Sequence, residues 1–300
     1  MTYARFALAL LASATLAVPA FAQDGTLKKI KDSGAITIGH RDASIPFSYY
    51  DDKQQPIGYA MDLCYRIVDA VRAELKMRKI DIKYQLVTSA NRIPLMANGT
   101  IDLECGSTTN NLERQKQVWF TITHFVTANR FVSKRSANLK ALDDLKGKTI
   151  VSTAGTTNIK QITELNAQRN LGASIISANG HPEAFLMVET GRAAAFVMDD
   201  ILLYSLVATS KAPADYEISA DALSVEPYGI MVRKDDVAFK KVVDAAMVNT
   251  YKSGAINGIY NKWFLTAIPP KGVNLNVPMG DAFKKVVANP TDSGDPAAYR

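Results

Sequence analysis

Cysteine is nearly absent: two in 300 residues are too few for a disulfide-built scaffold or a four-cysteine zinc site. Histidine is scarce too. His40, His124 and His181 lack any close metal-ligand spacing, so no metal or other cofactor is expected. No Gly-x-Ser-x-Gly nucleophile elbow occurs. A Walker-type phosphate loop is missing as well, since Gly155-Thr156-Thr157 lacks the lysine it needs. Asp199-Asp200 makes a poor metal pair, because adjacent residues seldom point at one ion. No five like charges run together, and 35 Lys and Arg against 29 Asp and Glu leave a formal charge of +6. That argues against a basic nucleic-acid-binding block, and no nucleic-acid partner is expected. A mild positive field suits an anionic small molecule, although a solvated surface produces the same surplus.

What is present is a globular composition, 47% hydrophobic and 21% charged, long enough at ~150 residues per domain for two domains. The first segment reads as an address. Arg5 gives a short basic start, Phe6 to Val18 is apolar apart from Ser13 and Thr15, and Ala20-Phe21-Ala22 fits small-x-small cleavage. Residues 1–22 are therefore expected to be a secretory signal peptide. Cleavage would leave Gln23, not Cys, at the new terminus, so no lipid anchor is expected on a soluble extracytoplasmic product. Among later stretches the best candidate for a span, Ala193 to Ala208, carries Asp199 and Asp200.

Strand-length and helix-length apolar patterns alternate along the rest. Strands are expected at Ala35–Gly39, Ile82–Val87, Ile101–Glu104, Lys148–Ser152, Ala173–Ile176 and Ala194–Met198, with extended runs at Phe125–Val132 and Tyr228–Val232. Helices are expected at Tyr59–Met77, Arg92–Ala97, Thr157–Arg169, Asp200–Ala208, Val237–Lys252 and Ile256–Phe264, and another from Pro182 to Gly191. Residues 266–300, rich in Pro, Gly and Asn, read as an irregular tail. Such alternation implies an α/β architecture with mostly parallel sheets.

In open α/β sheets ligands sit beyond the carboxyl ends of strands. Polar clusters fall at those ends here: 39–42, 105–111, 153–157 and 199–200. They are rich in hydroxyls and glycines rather than in the Lys and Glu of solvated turns. Arg41, Arg92 and Arg114 offer guanidinium forks that match carboxylates. Ser89, Ser107, Thr109 and Thr157 add hydroxyls. Three arginines in or beside hydroxyl-rich turns suggest a dianionic organic acid more than a lone phosphate.

At these residues the sequence resembles the family 3 polar amino-acid solute-binding proteins of ABC importers, in its glutamate/aspartate branch. The resemblance spans roughly residues 27–275. It rests on Gly-His-Arg (39–41), Ile-Pro-Phe-Ser-Tyr-Tyr (45–50), Gly58-Tyr59, Thr-Ser-Ala-Asn-Arg-Ile-Pro-Leu (88–95) and Glu-Cys-Gly-Ser-Thr-Thr-Asn-Asn (104–111). Glu-Arg-Gln-Lys-Gln (113–117), Asp-Leu-Lys-Gly-Lys (144–148), Ala-Gly-Thr-Thr (154–157), Gly-Arg-Ala (191–193), Met-Asp-Asp (198–200), Tyr-Gly-Ile-Met-Val-Arg-Lys (228–234) and Asn-Lys-Trp-Phe (261–264) complete it.

The resemblance implies a two-lobed α/β fold of the type II periplasmic-binding-protein kind, with two hinge crossovers and the ligand cleft between lobes. Lobe 1 would be residues 23–123 plus 229–300, the crossovers 124–128 and 224–228, and lobe 2 residues 129–223. It further implies a monomer, without catalytic residues, that delivers L-glutamate or L-aspartate to an inner-membrane permease. By the same resemblance Arg114, with Thr109, pairs with the ligand α-carboxylate. Ser107, Thr109 and Asp199 hold the α-ammonium. Arg41, Ser89, Arg92, Thr157 and His181 receive the side-chain carboxylate. Three arginines and one aspartate would then leave positive charge over. The rival reading is a dehydratase-like periplasmic enzyme or a ligand sensor on the same fold. Glu183 and His181 could serve as acid and base, but both equally suit a helix start.

Cys64 falls on the core-facing side of the first long helix and Cys105 at the end of a strand in the same lobe. Two buried free thiols are one reading. An oxidising compartment favours the other, a Cys64–Cys105 disulfide.

Overall fold

A computed structural model describes residues 25–300; the expected signal peptide, 1–22, lies outside them. Two sheets organise the chain. The first has the order Asp81–Leu86, Ala35–His40, Leu103–Cys105, Met231–Arg233, Val118–Phe120. Its first three strands are parallel, and Met231–Arg233 runs antiparallel to both neighbours. In the second, Ser174–Ala178, Thr149–Thr153 and Ala195–Asp199 are parallel. The long strand Phe125–Lys134 then lies antiparallel to Ala195–Asp199, Tyr216–Ile218 and Ser224–Tyr228.

Two extended segments carry the chain from one sheet to the other, and they pair with each other. Phe125 lies opposite Tyr228, Thr127 opposite Glu226 and Asn129 opposite Ser224. Just before the first crossover, the His124 amide donates to the Tyr228 carbonyl at 2.8 Å. The expected single run Tyr228–Val232 is in fact two strands, because the chain changes sheets at Gly229-Ile230. A Cβ on Gly229 would lie 3.0 Å from Phe120 Cβ and 3.2 Å from the Thr121 carbonyl oxygen, so the absent side chain lets the crossing pass close to that strand.

Around the crossovers lies an aromatic cluster. Phe47 meets Phe125 and Tyr228, each at 5.1 Å between ring centroids, and Phe264 meets Phe125 at 5.0 Å and Tyr59 at 5.1 Å. Edge-to-face and stacked contacts of this kind add to the area that the rings bury. His124 is fully buried among them, and neither ring nitrogen has a hydrogen-bond partner among the described residues. Burial pushes its imidazole down to about 3, so the ring is neutral at ordinary pH.

The helix Tyr59–Glu74 buries Leu63, Cys64, Ile67, Val68 and Val71, the i, i+4 stripe that the sequence displays. It stops short of Met77 because Lys76 turns left-handed, at φ 52°. Cys64 and Cys105 are bridged with Cα atoms 6.3 Å apart, fastening this helix to the strand that feeds the 106–111 loop. Closing a loop of 41 residues corresponds to ~4 kcal/mol in the chain-entropy model.

The tail departs from expectation. Residues 266–300 contain the hairpin Ala267–Ile268 with Val273–Asn274, a helix Asp281–Ala288 and a final turn Pro296–Tyr299. Phe283 and Val286, three apart, bury one helix face. The Tyr299 hydroxyl meets Thr123 Oγ1 at 2.8 Å, which pins the tail beside the first crossover. Helical spacing inside this segment is short, and the flanking prolines and glycines mask it.

Candidate functional site

The strand ends face each other across the two sheets. From the first sheet, Arg41 directly follows Ala35–His40, its amide donating to Ser48 Oγ at 2.9 Å. Ser89 lies in a turn closed by the Thr88 amide on Asn91 Oδ1 at 2.8 Å, and Arg92 opens the helix Arg92–Ala97. Ser107 and Thr109 follow Leu103–Cys105. Arg114 opens a short 3₁₀ turn whose first amide donates to Asn111 Oδ1 at 2.8 Å. From the second sheet, Thr157 begins the helix Thr157–Gln168 behind an N-cap, Thr156. His181 begins the helix His181–Glu189, and Asp199 ends the strand Ala195–Asp199. Helix starts turn amides and short side chains toward the cleft, which suits an anion.

These residues converge. All nine are buried, and Ser89, Arg92, Ser107, Thr109, Thr157, His181 and Asp199 line one small cavity. Arg41 and Arg114 are packed beside it. Arg114 donates to the Thr109 carbonyl at 2.8 Å and, from the opposite sheet, to the Gly155 carbonyl at 3.2 Å. Arg92 donates to the Ser107 carbonyl at 3.3 Å. Thr153 Oγ1 and His181 Nδ1 are 2.8 Å apart, which leaves Nε2 as the free nitrogen. Asp199 accepts from Asn158 Nδ2 at 2.7 Å and from the Tyr228 hydroxyl.

Many of the polar atoms brought together here are unsatisfied. Arg41 Nε and Nη1, Arg92 Nε, Ser89 Oγ, Ser107 Oγ and His181 Nε2 are buried without a hydrogen-bond partner among the described residues. Leaving such groups unpaired costs ~1–3 kcal/mol each, more when charged, so a cluster of them in one cavity describes a ligand's outline. Burial, then the neighbouring Arg92 charge, push the Arg41 guanidinium down to about 10 and that of Arg114 to about 9. Arg92 is lowered chiefly by burial. Burial and the charges of Arg41 and Arg92 hold His181 well below the ordinary histidine range, so it presents a neutral imidazole. Asp199 is raised, by burial and by the Glu226 charge. An anion beside the arginines and a cation beside Asp199 would each relieve these penalties.

The Thr157 hydroxyl lies 3.5 Å from Thr109 Oγ1 and donates to Glu226 Oε2 at 3.0 Å, while the residue also lines the cavity with Ser89, Arg92 and His181. Two further buried acids flank the cleft. Glu104 accepts from Thr108 Oγ1 at 2.6 Å, and Glu226 accepts from Gln161 Nε2 at 2.6 Å. Arg41, Arg92 and Arg114 therefore share this region with three buried acids, Glu104, Asp199 and Glu226. Thr108, Asn158, Tyr228 and both glutamates escaped the sequence reading. For the glutamates alone there is a signal, an acid inside an otherwise strand-like run, at Leu103-Glu104-Cys105 and Val225-Glu226-Pro227.

Known proteins converge on the same region. Residues 36–266 match the family model of bacterial extracellular solute-binding proteins, family 3. The chain is 54% identical over 285 residues to the L-glutamate/L-aspartate-binding protein of Pseudomonas aeruginosa, covering 94% of each chain. It is 44% identical over 282 residues to the glutamate/aspartate import solute-binding protein of Escherichia coli, covering 94% of this chain and 93% of that one. An ancestral arginine-binding protein bound to arginine superposes with a TM-score of 0.68 at 27% identity, over 77% of this chain and 98% of that one. A substrate-binding protein of an ABC uptake transporter from Streptococcus pneumoniae, with bound histidine, has a TM-score of 0.69 at 22% identity. The match covers 80% of this chain and 96% of that one, and at that identity it speaks for the fold alone.

Proposed function

The chain belongs to the bacterial extracellular solute-binding proteins of family 3, and from that premise we propose that it captures L-glutamate or L-aspartate in the periplasm and delivers it to an inner-membrane ABC permease. It is a binding component, not an enzyme, and returns its ligand unchanged. The observation that carries the ligand class is the set of buried polar atoms on Arg41, Arg92, Ser89 and His181 that have no partner among the described residues, gathered with Asp199 at one cavity beside the buried Arg114.

Two carboxylates and an ammonium satisfy this arrangement. Arg114, with Thr109 and Thr157 beside it, takes the α-carboxylate. Asp199, the Ser107 carbonyl and Thr109 take the α-ammonium. Arg41, Arg92, Ser89 and His181 Nε2 take the side-chain carboxylate. A buried carboxylate without partners costs several kcal/mol, so each needs its own arginine. An amide in the side-chain position leaves guanidinium charge unanswered, which penalises glutamine and asparagine.

In this reading residues 23–123 plus 229–300 form one lobe and residues 129–223 the other, and 124–128 with 224–228 act as the hinge. Ligand bridges the lobes and shifts the population toward the closed form by contacts that the open form lacks. Calorimetric titration of ligand-stripped protein with L-glutamate, L-aspartate, L-glutamine and L-asparagine tests the assignment. Equal affinity for acids and amides would refute it.

A further inference from the structure

We propose that Glu104 is a specificity-determining residue of this cleft: its buried charge tempers the field of Arg41 and Arg92, so that an acidic amino acid is taken in preference to a plain dicarboxylate and is still released. The inference rests on the ligand class proposed above. Glu104 sits mid-strand in Leu103–Cys105 and is fully buried. Its Oε2 accepts from Thr108 Oγ1 at 2.6 Å, and that hydroxyl accepts from Arg92 Nη1 at 2.5 Å. One hydroxyl therefore links the carboxylate to Arg92. Its other oxygen, Oε1, has no hydrogen-bond partner among the described residues. That oxygen packs over Gly106, where a Cβ would overlap it and stand 3.1 Å from Arg41 Cγ. A single carboxylate thus lies next to both arginines assigned to the ligand's second carboxylate.

A neutral glutamine would serve the Thr108 bond equally well, so hydrogen bonding alone does not require an acid here. What the acid adds is charge. Without it, Arg41 and Arg92 would attract any anion, including one with no ammonium for Asp199. With it, the second carboxylate is bound against a local counter-charge. At an effective dielectric of about 20, a unit charge about 10 Å away changes an ion's binding by about tenfold.

Glu104→Gln removes the charge and keeps the acceptor. Calorimetry and competition with L-glutamate, L-glutamine and glutarate should show the glutamate-to-glutamine affinity ratio rising about tenfold. Glutarate binding should rise by at least as much, and glutamate should dissociate more slowly in stopped flow. A ratio equal to or below that of the wild type overturns the proposal. Two further variants carry the test even where Glu104→Gln does not fold. Glu104→Asp keeps the charge and should keep the ratio low. Thr108→Val cuts the link to Arg92, leaves the charge, and should give no rise in the ratio. A rise in either variant overturns the proposal. A wild-type protein that binds none of the three ligands would instead refute the ligand class, so the two failures are distinguishable.

Discussion

Gly155→Ala should block closure while sparing the fold. Gly155 follows a strand of the second sheet and has φ +74°, and it presses on the backbone of the first-sheet turn. A Cβ there would lie 2.5 Å from Ala90 Cα, 2.7 Å from the Ser89 carbonyl oxygen and 2.8 Å from the Ala90 nitrogen. All three neighbours are backbone, so no side chain can rotate away. Two costs follow. Left-handed backbone in a residue with a Cβ costs ~1–2 kcal/mol in open and closed forms alike. Overpacking against a rigid neighbour costs a further ~1–3 kcal/mol, and only the closed form bears it. That second cost corresponds to a ~5- to 150-fold loss of affinity, equal for glutamate and aspartate because the added methyl discriminates between neither. Gly147→Ala is the control, with φ +67° and nothing within 4 Å. Both variants should lose similar unfolding free energy without ligand, and only Gly155→Ala should lose affinity. Calorimetry with urea unfolding reads both numbers. Wild-type affinity in Gly155→Ala, or equal losses in the two variants, would refute the reasoning.

Arg114→Ala should cost ~2–5 kcal/mol for every amino acid tested, whereas Arg41→Ala should weaken the acids and narrow their gap to glutamine, both read by calorimetry. His124 should contribute acid lability: its folded value of about 3 lies below the ordinary 6.5, so its contribution to stability is present above pH 6.5 and is lost as pH falls toward 3. At pH 4.5 that loss is ~2.7 kcal/mol, and chemical unfolding of His124→Phe should show a correspondingly smaller drop between pH 7.5 and 4.5; parallel drops would contradict it. The raised Asp199 should bind a proton more readily in the ligand-free protein than beside a ligand ammonium, so glutamate affinity should fall as pH drops from 8 to 5, and a flat profile would contradict this. Thiol counting on denatured, unreduced protein should find no free thiol at Cys64 or Cys105, and two per chain would reject the bridge.

The strand-end clusters were legible because parallel α/β sheets put ligands at the carboxyl ends of strands. Arg41, Ser107 and Asp199 could thus be placed near a site from their distance past an apolar run. Relations across the cleft were not legible. The approach of Thr157 to Thr109 depends on how the two sheets are set against each other, and no local pattern encodes that. Glu104 and Glu226 escaped because one acid in a short apolar run also fits a strand with one polar side. Their burial among arginines is purely tertiary. The tail helix Asp281–Ala288 was hidden by brevity, since eight residues show barely two turns of periodicity between Pro- and Gly-rich flanks.

The central claim is that this cleft requires two carboxylates and one ammonium on the same small molecule. Titrating ligand-stripped protein side by side with L-glutamate and L-glutamine tests it most directly, because the two differ by one carboxylate at constant shape. Glutamate should bind tighter by ~2–5 kcal/mol, roughly 30-fold or more, the cost of leaving a buried guanidinium pair unanswered. Equal affinities would contradict the assignment of Arg41 and Arg92, and with it the reading of the site.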